Sequence, residues 1–369
     1  MSQAQRGPQE LPLPAEVGRR FQELRFRGGP APDPARVRRV LIRAPNWVGD
    51  AVMSLPVLYA LGGLFPRAQL TVLAAPRVAP LFLHHPGVSR VVPYPPGREK
   101  WRLLWGLRKA FDLALALPNS LESALGLWLT AAPARVGYNA AARRPFLTRA
   151  VSGREKLKGL HTVFYFLGIL QAFGEVSRFT PPALYLDPGE EARAAALLAA
   201  AAGDDPPWVG LSPGAAYGPA KRWPPERFAA LGAELQRQFG ARLVLLGGPE
   251  DRAVAALVQE RLPAPALDLV GKTDLRQALA VVSRLSLLVT NDSGLMHAAA
   301  ALRVPLVALF GSTDPKATGP FTDRATVLYH PWPCSPCFQR TCPEGYPCLT
   351  VITVAEASAT ARGWLQETA

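Results

Sequence analysis

Leu285-Ser-Leu-Leu-Val-Thr-Asn-Asp-Ser-Gly-Leu-Met-His-Ala-Ala-Ala300 decides the fold of this chain. An apolar run, a Ser/Gly turn and an alanine-rich segment read as strand, tight turn and helix. The predicted helix starts near Ser293, with Ser293 or Asp292 as its cap and Gly294 letting backbone approach a ligand. Such a start offers unpaired N–H groups and a positive dipole end, which suit a phosphate.

Far upstream, Val40-Leu-Ile-Arg-Ala-Pro-Asn-Trp-Val-Gly-Asp-Ala-Val-Met-Ser-Leu-Pro-Val-Leu58 repeats the pattern. Val40 to Ile42 form a predicted buried strand, Asn46 to Asp50 a loop, and Ala51 to Leu61 a helix. From this loop alone Asp50 reads first as a helix N-cap. It also suits a general base at the C-terminal edge of a parallel sheet, and the two roles are compatible.

The alternation continues in both halves. Val37–Ile42, Leu70–Ala74, Val88–Val92 and Asp112–Leu117 are expected strands, with helices between them and a helix from Leu121 to Thr130. After an extended, Pro-rich stretch around Phe179–Pro188, a helix is expected over Glu190–Ala202. Trp208–Ser212, Leu243–Gly247, Leu267–Leu269, Leu287–Thr290 and Leu306–Phe310 then read as a second set of strands. Repeated β–α alternation implies parallel sheets covered on both faces. The expected organisation is a flexible extension over residues 1–36 with at most a short helix from Ala15 to Phe26, a domain over 37–178, a linker over 179–189 and a domain over 190–369. No GxGxxG follows the first strand, which argues against a conventional dinucleotide dehydrogenase.

Net charge is +13 over 369 residues, and it is unevenly placed. Residues 1–186 hold 25 Lys and Arg against 10 Asp and Glu, whereas the rest holds 16 against 18. A basic half-molecule implies an anionic partner. No apolar run is long enough to span a membrane, and no secretory signal is visible.

Three strand ends in the second half carry Gly-bearing polar turns. Ser212-Pro-Gly-Ala-Ala-Tyr-Gly-Pro-Ala-Lys-Arg-Trp-Pro224 joins backbone donors to a cation, as a phosphate-bearing ligand needs, although Lys221 and Arg222 read equally as solvated charges. Leu243-Val-Leu-Leu-Gly-Gly-Pro-Glu-Asp251 offers Glu250 or Asp251 to a ribose diol, or merely to a helix dipole. Gly271-Lys-Thr-Asp274 supplies a third such turn, equally suited to a helix cap. Together they favour nucleotide binding.

The whole set resembles the ADP-heptose:lipopolysaccharide heptosyltransferases, most closely their heptosyltransferase II branch. Arg43-Ala-Pro-Asn-Trp-Val-Gly-Asp50, Leu117-Pro-Asn-Ser120, Gly214 to Pro224, Thr290-Asn-Asp-Ser-Gly-Leu-Met-His297 and Phe310-Gly-Ser-Thr-Asp-Pro315 carry the resemblance. It implies a GT-B fold: two Rossmann-like doubly wound domains facing a cleft, acceptor on the first and nucleotide sugar on the second. It implies metal-independent, inverting transfer of L-glycero-D-manno-heptose from ADP-L-glycero-D-manno-heptose to the heptose of an anionic glycolipid, heptosyl-Kdo-lipid A. No cofactor and no nucleic-acid partner are implied, and the expected location is cytoplasmic, peripheral at the inner face of the cytoplasmic membrane.

By position, the resemblance makes Asp50 the general base and Lys221 the cation for the leaving ADP. It assigns the donor to Ala216, Tyr217, Glu250, Lys272, Thr273, Asp292, Ser293, Gly294, Leu295 and His297, the last of these reading equally as a helix-packing histidine. It assigns the acceptor to Asn46, Trp47, Asn119, Ser120, Arg143 and Arg144, with Arg149, Arg154, Lys156 and Lys158 as further cations. Alternatives are a heptosyltransferase I or III acceptor, a GT-B nucleotide-sugar epimerase, or a glycolipid-binding protein without activity.

Two features remain. Trp101-Arg-Leu-Leu-Trp-Gly-Leu-Arg-Lys-Ala-Phe111 mixes aromatic and basic residues, as a membrane-surface helix does, yet also suits a helix packing on the sheet. Cys334, Cys337, Cys342 and Cys348 follow C-x2-C-x4-C-x5-C. A reduced cluster is the default reading and structural zinc the alternative.

Overall fold

The computed structural model describes residues 9–202 and 207–368, and the chain divides into two compact units, Met1–Tyr185 and Leu186–Ala369. The division falls inside the stretch expected to be a linker. In the first unit the strands are β1 (Leu11–Pro12), β2 (Arg25–Gly28), β3 (Arg39–Arg43), β4 (Gln69–Ala74), β5 (Arg90–Pro93), β6 (Leu113–Ala116), β7 (Ala134–Tyr138), β8 (Arg149–Ser152) and β9 (Arg178–Phe179). Seven of them form one sheet in the order β2-β8-β7-β6-β3-β4-β5. Every pair in it is parallel except β2 with β8.

The second unit holds β10 (Trp208–Ser212), β11 (Arg242–Leu245), β12 (Leu267–Asp268), β13 (Leu287–Asn291), β14 (Leu306–Phe310) and β15 (Ala325–Tyr329). They make an all-parallel sheet ordered β12-β11-β10-β13-β14-β15. Apart from the edge strand β2, each sheet starts in its middle, adds two strands on one side and then the rest on the other, the doubly wound Rossmann order. The order reverses between β3 and β6 in the first unit and between β10 and β13 in the second. Ligands of such sheets gather at the strand C-termini of these reversal points.

The period-2 geometry of a strand explains the continuous apolar runs. Val209, Leu211, Leu243, Leu245, Leu287 and Val289 pack into one core, while Val244, Leu246, Leu288, Leu306 and Phe310 pack into another. Successive residues thus supply opposite faces, so both faces need apolar side chains.

Several details depart from the sequence reading. The helix expected over Ala51–Leu61 is two helices, Val48–Met53 and Leu55–Leu64, parted at Ser54. Pro56 has no N–H to continue the first helix, and the Ser54 hydroxyl donates to the Ala51 carbonyl at 2.8 Å. The helix expected over Glu190–Ala202 starts at Pro188, inside the expected linker. The Asp187 carboxylate accepts the Gly189 and Glu190 N–H groups at 2.7 and 3.0 Å there. Strands β7, β8 and β15 were not expected from the sequence. β7 and β8 each carry an arginine in a short run, which hides the pattern.

The largest departure is at the N-terminus. Residues 1–8 lie outside the described residues, but 9–36 are not a loose extension. β1 pairs with β9, β2 pairs with β8, and the helix Ala15–Gln22 buries Val17 and Phe21. Arg20 donates to the Lys156 and Lys158 carbonyls at 3.1 and 2.8 Å. The short helix lies within the stretch where the sequence places it, but a composition rich in Pro, Gln and Arg concealed that Val17 and Phe21, at i, i+4 spacing, anchor it. Phe21→Ala should therefore cost about 3–5 kcal/mol of unfolding free energy in a denaturant titration. An unchanged midpoint would restore the loose extension.

Candidate active site

In the second unit the expected donor residues follow the C-termini of β10, β11, β12 and β13. Asn291, the last residue of β13, is fully buried and fastens the loop after β10 at both ends. Its side-chain N–H donates to the Pro213 carbonyl at 2.8 Å, and its side-chain oxygen accepts the Trp223 N–H at 3.0 Å. Trp223 is itself buried, with its indole N–H on the Ile352 carbonyl at 3.0 Å.

Between those anchors the loop carries Lys221. Its Nζ donates to Asp292 Oδ2 at 2.5 Å, and the Thr313 hydroxyl donates to the same oxygen at 2.6 Å. Asp292 is 5% and Lys221 14% exposed, so little water screens the pair. The ammonium also lies 4.8 Å from the centre of the Tyr217 ring, within cation–π range. One carboxylate, itself held by a hydroxyl, and one aromatic face thus hold a cation at the reversal point of the sheet.

The helix Gly294–Ala301 starts beside it. Ser293 occupies the cap position without a side-chain capping bond, and its hydroxyl lies 3.1 Å from that of Thr290. Asp292 is not the cap, because its carboxylate is spent on Lys221 and Thr313. Ser293, Gly294 and Leu295 are half-buried, which leaves the helix start open to an anion, whereas His297 is buried one turn on.

The two carboxylates after β11 separate clearly. Asp251 is buried, accepts the Gly248 N–H at 3.1 Å and lies 3.6 Å from Arg222. Burial raises its pKa, with the Gly248 bond opposing. A Cβ on Gly214 would stand 2.0 Å from the Asp251 carboxyl carbon, so glycine is required there. Asp251 therefore braces two turns, whereas its neighbour Glu250 is exposed. Ala216 is exposed as well. Lys272 is exposed and its Nζ lies 2.6 Å from Asp268, while Thr273 precedes Asp274, which caps the helix Leu275–Val282 with Gln277.

In the first unit the reversal point lies between β3 and β6. Asp50 is the third residue of the helix Val48–Met53, and Trp47 is its cap residue. Asp50 is thus not the N-cap but a half-buried first-turn carboxylate. Asn46 is placed by two arginines: Arg43 donates to its side-chain oxygen at 2.7 Å, and Arg77 to its carbonyl at 2.8 Å. Arg43 lies buried 4.3 Å from the Tyr94 ring centre, and desolvation lowers its pKa. Arg77 stacks 4.6 Å from the centre of the half-exposed Trp47 ring. The sequence reading missed Arg77, whose only signal is its place in the turn three residues after β4.

After β6, Asn119 donates to the Tyr165 hydroxyl at 2.5 Å, and Ser120 caps the helix Leu121–Leu129. Arg143 contradicts its expected acceptor role. It is 0% exposed and donates to the Tyr138 carbonyl at 2.7 Å, to the Pro118 carbonyl and to the Asn119 side chain at 3.2 Å. Burial pulls its pKa down to about 10. It positions the loop after β6 from beneath. Arg144 donates to the Leu147 carbonyl at 3.2 Å, and Arg149 to the Ala172 and Gly29 carbonyls. Arg154, Lys156 and Lys158 are exposed.

The model of glycosyltransferase family 9, the heptosyltransferases, matches residues 100–346. The chain belongs to that family. Among curated proteins it is 33% identical to lipopolysaccharide heptosyltransferase 2 of Salmonella typhimurium, over 79% of this chain and 87% of that one. It is 32% identical to lipooligosaccharide heptosyltransferase 2 of Haemophilus influenzae, over 78% and 88%. The solved structure of the Escherichia coli ADP-heptose lipopolysaccharide heptosyltransferase II aligns with a TM-score of 0.75 at 29% identity, over 90% of this chain and all of that one. The expected GT-B class of fold is therefore the observed one. As a family 9 enzyme the chain is a glycosyltransferase.

The buried guanidinium yields a prediction. Arg143→Ala leaves two carbonyls and an amide oxygen without their donor and should cost about 2–4 kcal/mol of stability. A variant as stable as the parent, with weaker acceptor binding alone, would return Arg143 to the binding surface.

Proposed function

We propose that this glycosyltransferase moves L-glycero-D-manno-heptose from an ADP-activated donor to the heptose of heptosyl-Kdo-lipid A, with Asp50 as general base and Lys221 as the cation for the leaving ADP. The observation that carries the donor assignment is the Lys221–Asp292 pair beside an uncapped helix start at the reversal point of the second sheet. The names of the relatives at 32–33% identity support the choice of acceptor over that of a first heptosyltransferase.

In this reading the donor diphosphate lies on the N–H groups around Ser293–Leu295, and Glu250 meets its ribose. Asp50 takes the proton of an acceptor hydroxyl as that oxygen bonds to the anomeric carbon. The bond from that carbon to the diphosphate oxygen breaks, and the departing pair of electrons resides on ADP. Lys221 and the helix start hold that charge, with no divalent ion called for. A single displacement of this kind inverts the anomeric centre. Asp292 keeps the ammonium oriented before the donor arrives, so the cation costs little reorganisation during transfer.

Asp50→Asn should lower kcat by about 10²–10⁴-fold, measured as ADP release with heptosyl-Kdo-lipid A, while ADP affinity stays at the parent value. Undiminished turnover would sink the assignment of the base. Release with heptose-free Kdo-lipid A alone would instead move the acceptor one sugar inward.

We further propose a peripheral location at an anionic membrane surface. No helix among the described residues is long and apolar enough to cross a membrane. The helix Glu99–Gly106 buries Leu104 in the core yet leaves Trp105 61% exposed, with Arg108 stacked 4.9 Å from its ring centre. Trp128 on the adjacent helix Leu121–Leu129 is 48% exposed. Aromatic rings beside guanidinium groups suit the headgroup region. Replacing Trp105 and Trp128 by Ala should weaken sedimentation with anionic phospholipid vesicles by about tenfold or more, given the apolar area each ring would bury. Equal binding by parent and variant would discard this surface.

A further inference from the structure

Between β15 and the helix Pro347–Thr350 runs a segment, residues 330–346, with no strand or helix of its own. Irregular segments longer than about 12–15 residues are uncommon inside compact domains unless they serve a function. Hydrogen bonds to its backbone tie the middle of this one to the donor site. The Phe338 N–H donates to the Ser312 carbonyl at 2.8 Å, and Ser312 precedes the Thr313 that holds Asp292. The Tyr217 hydroxyl donates to the Phe338 carbonyl at 2.6 Å, and the Ala220 N–H to the Arg340 carbonyl at 3.1 Å. Gly218, at φ +149°, is where the two backbones touch, since a Cβ there would stand 2.6 Å from the Arg340 oxygen. Phe338 itself sits at φ +55°, a left-handed conformation that bulky residues rarely adopt. The bonds to its N–H and carbonyl hold it there.

The Arg340 backbone is therefore fixed against the loop that carries Lys221, while its side chain is exposed. Its guanidinium lies 5.3 Å from the Tyr217 ring centre, and the Lys221 ammonium lies 4.8 Å from the same centre. Two cations thus share one ring. Lys221 has Asp292 as its carboxylate, but among the described residues no carboxylate pairs with Arg340 and no carbonyl accepts from its side chain. Other arginines of the chain, such as Arg43, Arg143 and Arg227, are spent on carbonyls or amides. The N–H donors of a guanidinium lie in its own plane, so a contact with an aromatic ring leaves them available to an anion.

We propose that Arg340 is a second cation of the donor site, binding the diphosphate beside Lys221 and sharing the negative charge that ADP carries away. This rests on the donor site proposed above. A diphosphate presents more oxygens than one ammonium can serve. Lys221 is a compact point charge, whereas a guanidinium offers paired N–H groups that match two phosphate oxygens at once. As the bond from the anomeric carbon to the diphosphate oxygen breaks, charge grows on the diphosphate, and a cation already fixed beside it needs little reorganisation. The irregular segment spends its backbone on the Lys221 loop and so delivers this one side chain.

The contact that fixes Arg340 to the loop uses its backbone carbonyl, so substitution there removes the guanidinium and spares the tie. In the full chain, Arg340→Gln should keep the parent's melting midpoint and weaken ADP about tenfold by calorimetry. Its kcat for heptose transfer should fall about 10²-fold. Adenosine, which carries no phosphate, should bind parent and variant equally. Arg340→Lys keeps a charge but loses the paired donors, and should fall between the two. Parental ADP affinity and kcat in Arg340→Gln would overturn the proposal. A collapsed midpoint, or equal loss of ADP and adenosine, would overturn it too, because either marks a structural role. Lys221→Gln separates this inference from the donor site on which it rests. Weaker ADP binding in Lys221→Gln alone would leave the donor site standing without its second cation. A parent that binds no ADP, or parental ADP binding in both variants, would refute the donor site and Arg340 with it.

Discussion

Asn291 and Asp292, at the end of β13, are the constraint on which the second unit's site depends. Asn291 spends its amide on both ends of the loop after β10, so that loop cannot drift from the sheet. Asp292, one residue on, then meets the cation that the loop delivers. Buried side-chain amides and carboxylates are costly unless every group is paired, and here the pairing also builds the site. Stability and chemistry come from the same hydrogen bonds. Pulling Asn291 away would expose unsatisfied backbone at Pro213 and Trp223 while releasing Lys221.

The first unit uses the same device with other residues. Arg143 lies beneath the loop after β6 and satisfies its carbonyls, as Asn291 does for the loop after β10. Arg43 and Arg77 fasten Asn46 beside Asp50. Part of the charge that the first half carries is therefore internal scaffolding. Arg20, Arg43, Arg143 and Arg149 are all committed to backbone carbonyls or side chains of the unit itself. The larger, exposed remainder, including Arg108, Arg154, Lys156 and Lys158, is what an anionic partner can feel.

The β–α alternation was legible because each central strand is apolar on both faces and each turn that follows carries Gly, Ser or Asp. The same turns marked Asp50, Lys221 and Asp292, since a doubly wound sheet must present its strand ends somewhere. Legibility failed where a residue type serves two purposes. Arginine marks an anion site or a buried clasp with equal ease, and nothing in the sequence around Arg143 says which. Asp251 and Glu250 are neighbours of one chemistry, yet Gly214 packs against only one of them. The N-terminal residues were misread for the converse reason, because Phe21 has its partners more than a hundred residues away.

By itself, then, the sequence determined the class of fold and the positions of the turns, because both follow from local periodicity and backbone freedom. It also determined the chemical types available at each turn. The tertiary structure alone decided which of those groups are spent on backbone carbonyls and which are held beside open helix starts. That decision is non-local: whether a charge is buried, paired or exposed depends on what the sheet order brings next to it, and strand order is set by packing across the whole unit.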